Sequence, residues 1–437
     1  MNKQKRYFVE PIEATSESRR ERGIAMLPQG WEIRTLASVV QANRKITYGI
    51  VQPGGFVQQG VVLVRGGDYS TGWVLLDQMK RVRPEIDRPY KRSRLRAGDI
   101  VLTIVGANTG TIAVVPSWLD GANITQTTAR IAVDNAKASP SFVAHALKSD
   151  WGQDEVRKYV KGAAQPGLNL EDIELFNIPF PPLAEQLRIS TVLDAWDTAI
   201  ANAECLVEVK RKRFEWFQAQ LLTGQKRMKG FGEPWPDTHL RDYFIPRRQA
   251  GEIGLPLLSV TMNDGIVIRD MLDRRSKSAM TEEAHLLVAP GDIAYNMMRM
   301  WQGASGLCRV RGNISPAYVV MTPKDNLDPE FAAHWLKSKE AIDLLWAYSH
   351  GLTEDRLRLY PDDFLRIPVR LPPLAEQRRI SLTLNCCLED VASAERLLSG
   401  LRDQKCGLMQ QLLTGKLPIP ESVDALIPSS PALEPVS

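Results

Sequence analysis

PPLAEQ occupies Pro181–Gln186 and occurs again at Pro372–Gln377, an offset of 191 residues. LLTG follows at Leu221–Gly224 and at Leu412–Gly415 with the same offset. Two identical motifs at one internal spacing mark an internal duplication. Working outward, Ala97-Gly98-Asp99-Ile100 is echoed by Pro290-Gly291-Asp292-Ile293, and Asn123-Ile124-Thr125 by Asn313-Ile314-Ser315. FVAHALKS from Phe142 is echoed by FAAHWLKS from Phe331, and PQGWEIRTLASV from Pro28 loosely by EPWPDTHLRDYF from Glu233. Each unit is a divergent globular part of about 150 residues followed by a matched part of about 40. That period is too long for a stacked solenoid and indicates a duplicated domain.

The matched part reads as helix. After the first PPLAEQ, apolar or long side chains fall at Ile189, Leu193, Trp196, Ile200, Ala203, Val207, Lys210, Phe214, Phe217 and Leu221, in alternating steps of four and three. The second copy repeats the steps at Ile380, Leu384, Cys387, Val391, Ala394, Leu398, Leu401, Lys405, Leu408 and Leu412. A sustained 3.5-residue period is the seam of a left-handed coiled coil. The Pro-Pro pair precedes each helix, where its missing N–H costs least, and Gly224 and Gly415 stand where a C-terminal cap belongs. Two such helices in one chain pack most simply on each other, and antiparallel if the units are related by a pseudo-twofold axis. The other arrangement packs each helix on its own globular domain. Leu183, Ile189, Leu193, Trp196, Leu374, Ile380, Leu384 and Val391 are the candidate helix and partner interface.

The expected fold class is therefore α+β, with two mixed α/β domains separated by two long helices that form an antiparallel coiled coil. The boundaries are an N-terminal extension at 1–26, a first domain at 27–182, a helix at 183–224, a second domain at 225–373, a helix at 374–416 and a tail at 417–437. Short strand signals punctuated by Gly, Asp and Asn run through both domains, and a helix follows at 141–160 in the first and about 329–346 in the second.

Composition excludes several classes. The 437 residues are 44% hydrophobic and 24% charged, the balance of an ordinary globular protein. A net charge of +4, from 55 basic and 51 acidic residues, does not by itself indicate nucleic-acid binding, so any basic surface is local. Five cysteines without a CxxC spacing read as reduced, intracellular thiols, and the expected location is cytoplasmic. No apolar run approaches about 18 residues, and the polar N-terminus has no signal-peptide core.

Eight basic residues lie between Lys80 and Arg96 against only Glu85 and Asp87. Arg81, Arg83, Lys91, Arg92 and Arg94 in that run, and Arg274 and Arg275 in the second domain, are candidate DNA phosphate contacts. The usual fate of a charge run is a solvated face. Asn108 and Thr109 in GANTG, and Asn296, Arg299 and Gln302 in YNMMRMWQG, follow the aligned GDI strands and are candidate base-reading side chains. Plain turn chemistry accounts for the Asn and Thr residues equally well. His145 and His334 align on the helix of each domain and read as structural. The chain has no NPPY/F or DPPY methyltransferase loop, FxGxG, phosphate loop, PD…ExK nuclease pattern, HExxH or metal spacing.

Duplicated PPLAEQ helices ending in LLTG, each after a divergent domain opened by a PQGWE-type motif, resemble the specificity subunits of type I restriction–modification enzymes. The resemblance covers about Leu27 to Pro420. It implies that each target-recognition domain reads one half of a bipartite, asymmetric site in double-stranded DNA, and that the helices fix the spacer. It implies two methyltransferase subunits and, in the full complex, two restriction/translocase subunits as partners. No cofactor is implied on this chain; S-adenosylmethionine, ATP and Mg belong to the partners. The subunit itself is then non-catalytic. An orphan sequence-specific DNA-binding protein and a coiled-coil scaffold without DNA are the alternatives.

Overall fold

The structure is a computed structural model that describes residues 27–162, 165–271, 281–353 and 356–427. The chain divides into two compact units. The first comprises Met1–Asn202 and Leu398–Ser437, the second Ala203–Leu397. No helix among the described residues is long and apolar enough to cross a membrane.

In the first unit a four-stranded antiparallel sheet runs in the order Thr47–Tyr48, Thr128–Ile131, Ile100–Thr103, Ile112–Val114. A smaller sheet pairs Val61–Val64 in parallel with Asn123–Ile124 and antiparallel with Arg81–Val82. The second unit repeats this plan. Its antiparallel sheet runs Phe244–Arg247, Tyr318–Pro323, Ile293–Asn296, Ser305–Leu307. Its second sheet again contains a parallel pair, Leu257–Val260 with Gly312–Ile314. Each plan closes on a two-stranded ribbon, Glu32–Thr35 with Asn177–Phe180 and Asp237–His239 with Pro368–Arg370, which delivers the chain to PPLAEQ.

The GDI motif opens the central strand of each sheet for a definable reason. Gly98 and Gly291 have φ of 84° and 92°, which only glycine adopts without strain. The next residue, Asp99 or Asp292, is buried and turns its carboxylate back on the turn. It accepts the backbone N–H of Arg96 at 2.7 Å, or of Ala289 at 2.8 Å. Each carboxylate also holds an arginine, Arg44 on Asp99 at 2.6 Å and Arg247 on Asp292 at 2.8 Å.

The single helix expected in each domain is two. Pro140–Lys148 and Asp150–Tyr159 are separated by Ser149, and Pro329–Trp335 and Lys339–Ala347 by a turn ending at Ser338. Both serines are extended and accept a backbone N–H of the following helix, from Gly152 and from Ala341. A serine hydroxyl that competes for backbone donors makes a good N-cap and a poor helix interior.

The long helices span Leu183–Leu222 and Leu374–Leu412, and both run through both units. Inside the first unit Ile189 and Leu193 share one core with Leu412 and Leu413, and Asp197 pairs with Lys405. Inside the second, Leu221 and Leu222 share a core with Ile380 and Leu384, while Arg211 pairs with Glu395 and Arg213 with Asp390. Within each unit the numbering rises on one helix as it falls on the other, so the pairing is antiparallel. Both arrangements considered from the sequence are realised together. The seam residues also enter the core of the adjoining sheet and helices, alongside Phe142 and Phe180 in one unit and Phe331 and Phe364 in the other.

The two motifs that defined the repeat are the joints of this framework. Gln186, 1% exposed, donates to Pro181 O at 2.8 Å and accepts the N–H of Ser139 at 3.0 Å. Gln377, fully buried, donates to Pro372 O at 2.8 Å and Asn326 O at 3.1 Å and accepts the N–H of Asp328 at 2.8 Å. The preceding glutamate receives an indole: Trp31 donates to Glu185 at 3.2 Å, and Trp235 to Glu376 at 3.3 Å. The LLTG glycine lies beneath that same tryptophan, Gly415 against Pro28 and Trp31 and Gly224 against Trp235, with no space for a Cβ at Gly415.

Candidate nucleic-acid interface

Cationic side chains converge in the first unit. A concavity beside the GDI turn is lined by Arg44, Lys45, Lys91, Arg92, Arg94, Arg96 and Arg130, against the single acid Asp120. The 3-10 turn Arg88–Ser93 supplies Lys91 and Arg92, both exposed. Arg94 leaves that turn and is tied to the fully buried Asp87, which also accepts the amide of Asn123 at 2.8 Å. This ion pair raises the Arg94 pKa. Arg44 comes from the loop before the Thr47–Tyr48 strand and is locked by Asp99. Arg130 rises from the sheet itself, opposite both Thr47 and Val101. Burial, with Arg44 nearby, lowers its pKa to about 10.

Of the residues singled out in the sequence, Lys91, Arg92 and Arg94 meet in this concavity. Arg81 and Arg83 are not among its lining residues. Arg81 donates to Gly60 O at 3.3 Å, and Arg83 is exposed. Arg44, Lys45 and Arg130 were not singled out. Arg44-Lys45 stands alone as a short basic pair, and Arg130 is a lone cation in a strand-like run, so neither carries a local charge signal.

The turn after the first GDI strand presents an exposed Asn108. The hydroxyl of Thr109 donates inward, to Gly106 O at 2.7 Å and Pro166 O at 3.1 Å, and braces the turn. In the second unit Asn296 accepts the N–H of Met298 at 3.0 Å, shaping a turn on which Met298, Arg299 and Gln302 are exposed. Arg309 and Arg311 are paired, with Glu330 and Glu252. Arg274 and Arg275 lie outside the described residues.

Among the candidate helix residues, Ile189, Leu193, Ile380, Leu384 and Val391 are buried. Trp196 and Leu374 are half-buried, and Leu183 is exposed. The outer faces of the helices retain apolar side chains: Leu206, Val209 and Trp216 on the first, Leu382 and Leu397 on the second, each 41–65% exposed. The aligned histidines are joints too. His145 Nε2 lies 2.8 Å from Asp194, and His334 Nε2 lies 2.7 Å from Asn385, residues at equivalent positions of the two helices.

The comparisons with known proteins agree with this geometry. Residues 28–211 match the type I restriction modification DNA specificity domain. The chain is 34% identical over 164 residues to the type I restriction enzyme EcoBI specificity subunit of Escherichia coli, covering 38% of this chain and 34% of that protein. The match thus spans about a third of that relative's length. The chain is 23% identical over 431 residues to the provisionally named type I restriction enzyme MjaX specificity subunit of Methanocaldococcus jannaschii, covering 90% of this chain and 95% of that one. The fold is similar to the type I restriction–modification S subunit of M. genitalium, with a TM-score of 0.55 at 15% identity, covering 87% and 96% of the two chains. It is also similar to a chain solved in a study of complex assembly and conformational transition of the type I R-M system, with a TM-score of 0.53 at 19% identity, covering 90% and 100%. Residues 28–211 thus match a type I restriction modification DNA specificity domain, and over most of its length the chain is similar in sequence and fold to type I restriction–modification specificity subunits.

Proposed function

We propose that the chain is the non-catalytic subunit that selects the DNA sequence acted on by a type I restriction–modification complex. The observation that carries this reading is the repetition of one sheet-and-turn framework with unlike turns. The GDI strands of the two units correspond in register and chemistry, yet one is followed by GANTG and the other by YNMMRMWQG. A constant frame with different polar tips is what reading two different sequences requires, since base edges are distinguished by the donors and acceptors presented to them. Each unit then reads one part of a bipartite, asymmetric site in double-stranded DNA. The basic concavity of the first unit supports the phosphate contacts that fix position without reading sequence.

The outward apolar residues of the long helices suit association with further helices, and two repeats suit two copies of a methyltransferase subunit. Two restriction/translocase subunits complete the complex. S-adenosylmethionine, ATP and Mg are placed on those partners. The test is methylome sequencing of a methylation-free host expressing this chain with its methyltransferase partner. A bipartite adenine-methylated motif is expected, absent when either component is withheld. Methyl transfer by the purified chain alone, or methylation whose motif does not depend on this chain, overturns the reading.

A further inference from the structure

Arg130 is the anomaly of the first unit. It is 2% exposed, yet its Nε and Nη1 have no hydrogen-bond partner among the described residues. Its single hydrogen bond runs from Nη2 to Lys45 O at 2.8 Å. A buried guanidinium with two unsatisfied nitrogens is costly, and such a group in a native fold calls for an explanation. The Asp99 carboxylate, whose charge acts on Arg130, does not supply one, because it is already taken by both terminal nitrogens of Arg44 and by the N–H of Arg96.

The second unit shows that the fold does not need this residue. In its sheet the central strand Ile293–Asn296 pairs Ala294 with Val320, and the edge strand pairs Arg247 with the same Val320. By register Val320 occupies the place of Arg130, and it is buried in an apolar cluster with Leu258 and Ala294. One arginine there, Arg247, serves Asp292. The first unit has that function in Arg44 and carries Arg130 in addition, on the wall of a concavity with six further cations.

We propose that this concavity is a phosphate-binding site peculiar to the first unit, with Arg130 as its buried donor and Lys91 and Arg92 at its open rim. A phosphate oxygen would accept from the unpartnered guanidinium nitrogens after a small side-chain adjustment. Its charge would offset the repulsion between Arg130, Arg44 and Arg96. The phosphate group can belong to a DNA backbone or be free in solution. The backbone source rests on the function proposed above.

The experiment uses the full chain, the Arg130→Val variant that copies Val320 of the second unit, and a Lys91→Ala/Arg92→Ala variant that leaves the core untouched. Thermal unfolding is recorded in sodium phosphate and in sodium chloride at equal ionic strength. Binding of a random-sequence duplex is titrated at several salt concentrations. The wild type should gain Tm in phosphate over chloride. Arg130→Val should keep or raise its Tm in chloride while losing the phosphate gain, and the rim variant should lose part of that gain.

A backbone phosphate predicts that the slope of log Kd against log salt falls by about one in Arg130→Val. A lost phosphate gain with an unchanged slope assigns the site to free phosphate. If the wild type binds no duplex but its phosphate gain depends on Arg130, the DNA reading fails and the anion site stands. No phosphate gain in the wild type, with equal slopes in wild type and Arg130→Val, overturns the proposal. So does a large Tm loss in Arg130→Val with the rim variant indistinguishable from wild type in both assays.

Discussion

The backbone N–H of Asp328 donates to Oε1 of Gln377 across 2.8 Å. Asp328 is the N-cap of the Pro329–Trp335 helix, and Gln377 lies in the first turn of the second long helix. One amide thereby fixes a globular domain to its helix. Gln377→Ala leaves the Asp328 N–H and the carbonyls of Asn326 and Pro372 without the partner that the fully buried Gln377 amide provides. At about 1–3 kcal/mol for each orphaned buried group, with partial relaxation, we expect a loss of about 3 kcal/mol on urea unfolding. Gln186→Ala removes the matching contacts to Ser139 and Pro181 and should cost about 2 kcal/mol. A change below about 1 kcal/mol at both sites would mean that water takes over the role of the amide.

How much of this was legible follows from what each feature depends on. The seam from Ile189 and from Ile380 was visible because helix burial writes a period into the sequence. PPLAEQ was visible as a repeat, but the jobs of Gln186 and Gln377 were not, since their partners Ser139 and Asp328 lie about 50 positions away and no pattern in the sequence links them. The basic concavity was half legible. Lys91, Arg92 and Arg94 are a local run, whereas Arg130 reaches the same place through strand pairing and Arg44 through its ion pair with Asp99. The breaks at Ser149 and Ser338 were masked by strong helical periodicity on either side.

Acid should destabilise the second unit through His334 before it reaches the carboxylates. Burial lowers the pKa of this imidazole below 6.5, with Asn385, Glu330 and Asp328 acting to raise it and Arg309 to lower it. The unfolded chain therefore takes up a proton that the folded unit refuses. Stability is full above about pH 6.5 and falls between that value and the depressed folded pKa. Glu376 adds a second window. Burial works against its charge, but Arg227, the Met228 N–H and the Trp235 indole hold its pKa below 4.5, so its contribution is lost only as the pH falls further. Asn385→Asp, copying Asp194, should raise the His334 pKa and flatten the first window. Identical pH profiles of Tm for wild type and Asn385→Asp would refute this assignment.

Arg299→Ala removes an exposed guanidinium from the turn after the second GDI strand. If it reads a base, binding to the preferred sequence should weaken by about 1–3 kcal/mol, with relaxed preference at one position of the part read by the second unit. The part read by the first unit should not change. The measurement is the methylated motif of a host carrying the variant, with duplex affinities at fixed salt. Equal weakening across all sequences would identify a phosphate contact instead.

The chain should tolerate being opened in the second unit and closed in the first. Gly224 lies under Trp235, and the ten residues between them bridge the helix end to the next domain. Gly415 lies under Pro28 and Trp31 in the same way, with no bridge. The bridge of the second unit supplies Arg227 to Glu376, and Lys229 O to Arg379 at 2.7 Å. In the first unit the residues equivalent to Glu376 and Arg379 are Glu185 and Arg188, and Arg188 instead pairs with Asp424 at 2.6 Å. A copy of residues 225–234 placed between Gly415 and Trp31 thus brings partners for both groups. With the new termini at Gly230 to Gly232, beyond the contacts of Arg227 and Lys229, the permuted chain should fold with a Tm within a few degrees of the original. It should also confer the same methylated motif. A soluble permutant with the original Tm but a changed motif would show that the first domain was reoriented. A permutant that cannot fold would show that the Gly415–Trp31 contact does not reproduce the joint made by Gly224 and Trp235.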